Sequence, residues 1–336
     1  MIKQKKQILF ISGIIILLII FLLIFLKNNN SEPDLIIGYS ADSFGHSPIF
    51  IGKELGLFEA QGLKVKYIPF TSTNYSRQAV STGQVDIVTG GANNFIDPIS
   101  KGINIRFIAP MVLAPSYAYV RPNDVNTLLD LNNTSIATRV DSTTGYAFRR
   151  ILKENNIDIN FTYVDIENAY SPIALMDKKI ISAALKGAES KEDFFKAGAI
   201  ILPEWVSKGY TERYFLSTSI IVNEDFASKN PEIISKFLDG YIESQRFMKE
   251  NPEETRVILA NYMNNATDGV TSYSIEDINN TLSSMKFVLW VNPNEFLDIA
   301  SYAYDSRIIS NDLNLMEIYD NRFEEKLRKA QEEIYE

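Results

Sequence analysis

The chain has no cysteine and a single histidine, His46, among its 336 residues. The first absence excludes disulfides, thiolate metal sites, a cysteine nucleophile and lipid attachment at a cysteine. With only one imidazole as well, the chain offers poor material for a transition-metal centre. Its acids form no spaced loop of the usual calcium kind. Basic charge is also short: 42 Asp and Glu stand against 33 Lys and Arg, a formal net charge of −9. Lys3, Lys5, Lys6 and Lys27 fall in an amino-terminal stretch with no acid, so the rest is more acidic still. That balance argues against nucleic acid as a partner, because phosphate binding needs a basic face.

Long apolar runs are missing too, with one exception. Residues 8–26, ILFISGIIILLIIFLLIFL, are 19 in a row without a charge. As a helix they cover about 28 Å, close to the bilayer core of about 30 Å. A cleaved signal has an apolar core of about 7–15 residues and a small-x-small cleavage site. This run is longer, and the KNNNSEPD after it has no such site. The expectation is an uncleaved single-pass anchor at 8–26. Residues 1–7 would form a cytoplasmic tail held inside by Lys3, Lys5 and Lys6. Residues 27–34 would be a polar linker, and 35–336 a domain outside the cell membrane.

With 46% hydrophobic residues, that domain can bury a core of two-lobed size. Strands are expected at 35–40, 63–70, 85–90, 105–111, 117–121, 135–139, 161–166, 181–186, 199–204 and 214–223. Helices are expected at 48–61, 74–82, 93–101, 144–155, 169–178 and 189–197. The β-α-β rhythm predicts an α/β fold of parallel-rich sheets with helices on both faces. After residue 223 the pattern turns almost wholly helical. Ile233, Phe237, Tyr241 and Met248 recur at helical spacing, and Glu324–Arg328 and Glu325–Lys329 suit an exposed helix face.

His46 stands in GHSPI, which nearly matches the G-x-S-x-G nucleophile elbow. The final glycine is Ile49 here, and the elbow's serine needs a histidine from elsewhere in the chain. Serine hydrolase chemistry is therefore not expected.

The stretch IGYSADSFGHSPIFIGKELGLFEAQGLKVKYIPF resembles the opening of the substrate-binding proteins of ABC importers. The type is the one serving nitrate, taurine, alkanesulfonates and thiamine-precursor pyrimidines. Pro48, Gly52, Lys53, Glu54, Gly56, Phe58, Glu59, Gly62 and Leu63 carry the match. STGQVDIVTGG (81–91), NTLLDLNNTSIATRVDSTTG (126–145) and NEDFASKNPEIISKFLDGY (223–241) resemble later segments of the family in the same order. The likeness spans about 35–265.

The resemblance implies a bilobed, type II periplasmic-binding-protein fold with a cleft between the lobes. Lobe one would be about 35–119 plus 217–336, and lobe two about 120–216. The connecting strands would lie near 117–121 and 214–220. It implies a receptor rather than an enzyme, without cofactor or metal. The partners would be a small-molecule ligand (sulfonate, nitrate-like anion or thiamine-precursor-like pyrimidine), an ABC permease and the permease's cytoplasmic ATPase. Two alternatives stay open: an enzyme of a vitamin or quinone pathway on the same fold, and a ligand-sensing ectodomain. The pyrimidine synthase on this fold relies on a cysteine-rich metal motif, which this chain lacks.

In open α/β sheets ligands sit beyond the carboxyl ends of strands, where helix amino termini present free N–H groups. Four loops have that placement. The first offers Ser40, Phe44, His46 and Ser47, ahead of Pro48 in the first helical turn. The second offers Thr71, Ser72 and Thr73. The third offers Gly90, Gly91, Ala92 and Asn93, with glycines that allow close backbone approach. The fourth offers Thr143, Thr144, Gly145 and Tyr146. For any single loop, ordinary helix capping is the competing explanation. Lys186, Gly187 and Ser217 complete the candidates. Two positions depart from the family pattern: Asp141 stands where it has a glycine, and Gly187 where an aromatic would fall. An acid at 141 would oppose an anion unless it points away. Tyr39, Phe44, Tyr117 and Tyr146 could stack on a ring or simply pack in the core. In the resembled fold His46 faces the cleft, which makes it a ligand contact; a plain turn residue is the competing reading.

Overall fold

A computed structural model describes residues 32–41, 43–70, 72–165, 171–187, 190–266 and 272–336. The expected tail and anchor, and Thr71 among the candidates, lie outside the described residues. Among those described, no helix is long and apolar enough to cross a membrane.

The strands are β1 (Leu35–Ser40), β2 (Val65–Phe70), β3 (Ile87–Gly91), β4 (Ile105–Val120), β5 (Thr134–Ala137), β6 (Phe161–Val164), β7 (Ala183–Gly187), β8 (Ile200–Ile201), β9 (Tyr214–Asn223) and β10 (Lys286–Phe287). They join in the order β2-β1-β3-β9-β4-β7-β5-β6, with β8 and β10 also pairing β4. β1 runs parallel to β2 and β3, and β5 runs parallel to β6 and β7. The antiparallel members are β9, set between β3 and β4, and β4 itself.

β4 is the main departure from the expected pattern. Pro110 and Pro115 read as interruptions, because proline cannot donate to a ladder, and the sequence predicts two strands there. The backbone instead stays extended for 16 residues. It takes up the irregularity in register shifts at Phe107/Ala109, Pro110/Val112 and Val112/Leu113. β4 pairs with β9 as far as Pro115↔Tyr214, then with β7 from Ser116↔Gly187. The expected strand at 199–204 shrinks to Ile200–Ile201, since Pro203 opens the helix Pro203–Ser207. Trp205 of that helix is fully buried and its indole N–H donates to the Ser116 carbonyl at 3.0 Å.

The expected helix at 48–61 ends early, as Ser47–Glu54. Gly56 adopts a left-handed φ of 64°, which a helix termination of this kind requires. The chain turns back and lays Phe58, fully buried, against the helix it has just left. Gly52 and Gly240 make that possible. A Cβ on Gly52 would collide with the Phe58 ring and come within 2.5 Å of Ser244 Oγ. One on Gly240 would meet the ring at 2.7 Å. Phe58 then stacks on Phe237, ring centroids 5.3 Å apart.

Beyond β9 the chain is helical, as expected. The long helix Pro231–Glu250 buries Phe237, Tyr241 and Met248. Tyr241 donates to the Pro110 carbonyl at 2.8 Å and so ties this helix to β4. In the final helix, Glu324–Tyr335, the Glu325–Lys329 pair forms at 2.7 Å. The Glu324–Arg328 pair does not: Glu324 accepts from the Trp290 indole and Arg328 turns to Glu332.

Gly52→Ala tests the Phe58 packing. Overpacking costs about 1–3 kcal/mol, against about 1 kcal/mol of helix propensity gained. The expected result is a net loss of up to about 2 kcal/mol in urea unfolding; a higher midpoint would show that the contact is slack.

Candidate functional site

Because β1, β2 and β3 are parallel, their carboxyl ends finish side by side. Ser40, Phe70 and Gly91 are their last residues. These ends form the floor of a cavity of about 290 Å³. Three helix starts surround it. His46, with Ser43, comes from the turn before Ser47–Glu54. Ser72, Thr73 and Ser76 come from the start of Thr73–Ser81, and Thr143 from the start of Thr143–Glu154. Thr89 and Gly90 of β3 and Ser217 and Thr218 of β9 complete the lining. The wall is therefore made of hydroxyls, backbone and one imidazole. Among the described residues no Lys, Arg, Asp or Glu lines it, and Phe70 brings its one phenyl ring.

The local structure explains why these groups gather. Ser43 caps a 3₁₀ turn, Phe44–His46, which sets His46 directly ahead of the next helix. His46 is buried, and its Nδ1 lies 2.5 Å from Thr89 Oγ1. Gly45 lets the turn approach β9; a Cβ there would lie 2.5 Å from Thr218 Oγ1. Ser72 caps its helix by accepting from the Asn74 N–H at 3.2 Å. Ser142 caps Thr143–Glu154, and its hydroxyl meets those of Thr138 and Thr144 at 3.2 and 3.0 Å. Thr143 reaches across to Asn93 Oδ1 at 3.4 Å.

Of the sequence candidates, Ser40, His46, Ser72, Thr73, Gly90, Gly91, Thr143 and Ser217 line this cavity. Asn93, Thr144 and Lys186 line a neighbouring one. The others sit elsewhere. Phe44 packs edge-on against Tyr273, and Ser47 is fully buried and donates to the Phe44 carbonyl. Ala92 is buried in the core, and Gly187 accepts from the Tyr119 hydroxyl. Gly145 carries a close approach: a Cβ would lie 2.9 Å from the Arg139 carbonyl. Gly90 is small for an internal reason, since a Cβ there would meet the Phe95 ring at 2.7 Å.

Tyr39, Phe44, Tyr117 and Tyr146 are all buried. Tyr146 stands edge-on to Phe215 and Tyr302 and accepts from Arg150. Burial pushes its phenol pKa up. Asp141 does not face an anion unopposed: Arg139 grips it through two bonds of 3.1 and 3.0 Å.

Ser43, Phe70, Ser76, Thr89 and Thr218 escaped the sequence reading. Ser76 had a signal in its helical spacing from Ser72 and Thr73. Thr89 and Thr218 had none, because only strand pairing brings Gly91↔Thr218 to this end. No cluster of His, Cys, Asp and Glu suited to a metal occurs among the described residues.

The sequence model of the NMT1/THI5-like family matches residues 43–255. No curated protein matches the chain. Among solved structures, the chain is similar to a putative periplasmic sulfonate-binding protein of an ABC transporter from Methylobacillus flagellatus. That pair has 16% identity and a TM-score of 0.69 over 88% of this chain and 93% of the other. The periplasmic aliphatic sulphonate binding protein of Escherichia coli gives 18% identity and a TM-score of 0.65, over 84% and 90%. The periplasmic nitrate-binding protein of Synechocystis gives 13% and 0.59, over 91% and 90%. At such identities the shared property is the fold: a periplasmic-binding-protein-like α/β architecture with a helical carboxyl-terminal part.

Two neighbouring threonines separate structural from cavity-facing roles. Thr144→Ala removes a hydroxyl bonded at 2.9 and 3.0 Å to Thr138 and Ser142. It should cost about 0.5–1.5 kcal/mol in urea unfolding. Thr143→Ala removes only one long bond and should cost less. The reverse order would mean the hydroxyl cluster does not hold the loop.

Proposed function

The chain belongs to the NMT1/THI5-like family, and from that premise we propose that it is an extracytoplasmic solute-binding receptor. It captures a small molecule and delivers it to an ABC import permease driven by a cytoplasmic ATPase. It carries out no covalent chemistry. The run at 8–26 anchors it beside its permease. The binding domain closes as two lobes, about 35–119 plus 217–336 and about 120–216, around the cavity.

The observation that carries this reading is the cavity itself. It combines hydroxyl donors, backbone and the starts of three helices, with no carboxylate among the described residues of the lining. Oriented N–H dipoles and hydroxyls stabilise an oxyanion. Phe70 gives one face for a flat ring, but the four aromatics that could have closed on its other side are buried in the core. A sulfonate or nitrate-like anion therefore fits better than a pyrimidine.

Calorimetric titration of the full chain in detergent with nitrate, ethanesulfonate and a hydroxymethylpyrimidine tests this directly. Heat is expected from an oxyanion. Binding of the pyrimidine alone would overturn the reading of the cavity. Thr143→Ala should weaken oxyanion binding by roughly 2- to 10-fold. His46→Ala, which removes the one imidazole in the wall, should weaken it by about tenfold or more. Hinge closure around ligand should appear in scattering as a smaller radius of gyration at saturation, and an unchanged radius would count against it.

A further inference from the structure

A second, larger cavity of about 990 Å³ adjoins the first. The two share Ser72 and Thr73 as a common wall. The contact between Thr143 and Asn93 stands between them. Their linings differ in kind. Among the described residues the inner cavity holds no Lys, Arg, Asp or Glu, whereas Arg77, Arg139, Lys186 and Arg307 line the outer one against Asp97, Asp141 and Asp165.

Two of these acids already have cations. Asp141 is held by Arg139, and Asp97 pairs with Lys101 at 2.8 Å. Arg77 is differently placed. Its guanidinium donates to the Asn94 carbonyl at 3.1 Å and to Asn74 Oδ1, both neutral oxygens. Neither Arg77 nor Arg307 has a carboxylate partner among the described residues. In a chain of net charge −9, a lining with four cations against three carboxylates, one of those carboxylates already held by Lys101 outside it, leaves a local excess of positive charge among the described residues. The helix Thr73–Ser81 also links the two chambers. Thr73 and Arg77 are four residues apart, hence on one face. One rigid element therefore presents hydroxyls to the inner chamber and a guanidinium to the outer.

On the receptor reading given above, we propose that the natural ligand is a two-ended anion. Its oxyanion head sits in the inner cavity. A second anionic group, a carboxylate or its equivalent, extends past Ser72 and Thr73 into the outer one. Arg77 receives that group through its planar fork, whose geometry matches a carboxylate. Arg307 adds to the field without a fixed contact.

The test is calorimetric titration of the full chain with ethanesulfonate and with sulfoacetate, two sulfonates that differ in a terminal carboxylate. Wild type should prefer sulfoacetate by roughly 10- to 100-fold. Arg77→Gln should bring that ratio of dissociation constants towards one. Arg77→Lys, which keeps the charge but not the fork, should retain only part of it, and its unchanged affinity for ethanesulfonate serves as the control for correct folding. If wild type binds ethanesulfonate as tightly, or Arg77→Gln keeps the preference, the two-ended ligand is wrong while the oxyanion receptor stands. If neither compound binds, the reading of the inner cavity falls, and this proposal with it.

Discussion

The antiparallel ladder between β4 and β9 is the constraint on which everything else hangs. It runs from Ile105↔Asn223 to Pro115↔Tyr214. β9 continues onto β3 and so fixes Thr89, Gly90 and Gly91. β4 continues onto β7, and β7 onto β5, whose end leads to Thr143. Every wall of the cavity is thus referred to one pair of strands. Their two prolines are accommodated without ending the strand. Pro110 lies between two shifts in register, and its carbonyl is used by Tyr241 from the long helix behind. Pro115 is the last residue to pair with β9 before β4 turns to β7.

Local pattern made much of this legible. Leu35–Ser40 and Tyr214–Asn223 appear at the expected bounds, because apolar runs flanked by polar turns have few other ways to fold. Helix starts at Ser72 and Ser142 were marked by their capping residues. Pro110 and Pro115 hid the continuity of β4, since pairing partners far along the chain decide whether a proline ends a strand. The motif residues Gly52 and Phe58 were recognisable as a pattern. Their reason, a phenyl ring closed over by two glycines, needed Gly240 from a helix nearly two hundred positions away.

The candidate site divides along the same line. Residues at strand ends and helix starts, such as Ser40, Thr73 and Thr143, were legible because topology alone puts them in the cleft. Side chains whose direction depends on packing were not. Tyr146 and Phe44 turned into the core, where burial of an aromatic stabilises by more than exposure to a small polar cavity would. Arg77 and Arg139 gave no signal, because a lone arginine in a short segment shows no direction by itself. Asp141, which looked hostile to an anion, is neutralised by a neighbour two positions earlier.

The helix Asn294–Asp305 touches both sides of this arrangement. On one side Phe296 stacks between Phe107 and Tyr319. On the other, Glu295 and Asp298 meet Arg150 at 2.8 and 3.6 Å, and the Tyr302 hydroxyl donates to the Val140 carbonyl at 2.7 Å. If the proposed lobes part, either the stack or the contacts on the Arg150 side must give way. The stack is apolar, while the ion pairs are half-exposed and weaken as mobile ions screen them. Dilute medium therefore holds the helix to the Arg150 side, and concentrated salt loosens that grip while leaving the stack intact. On the receptor reading, the ease with which the proposed lobes part would then follow the electrolyte around them, set by a helix that contributes no side chain to the inner cavity.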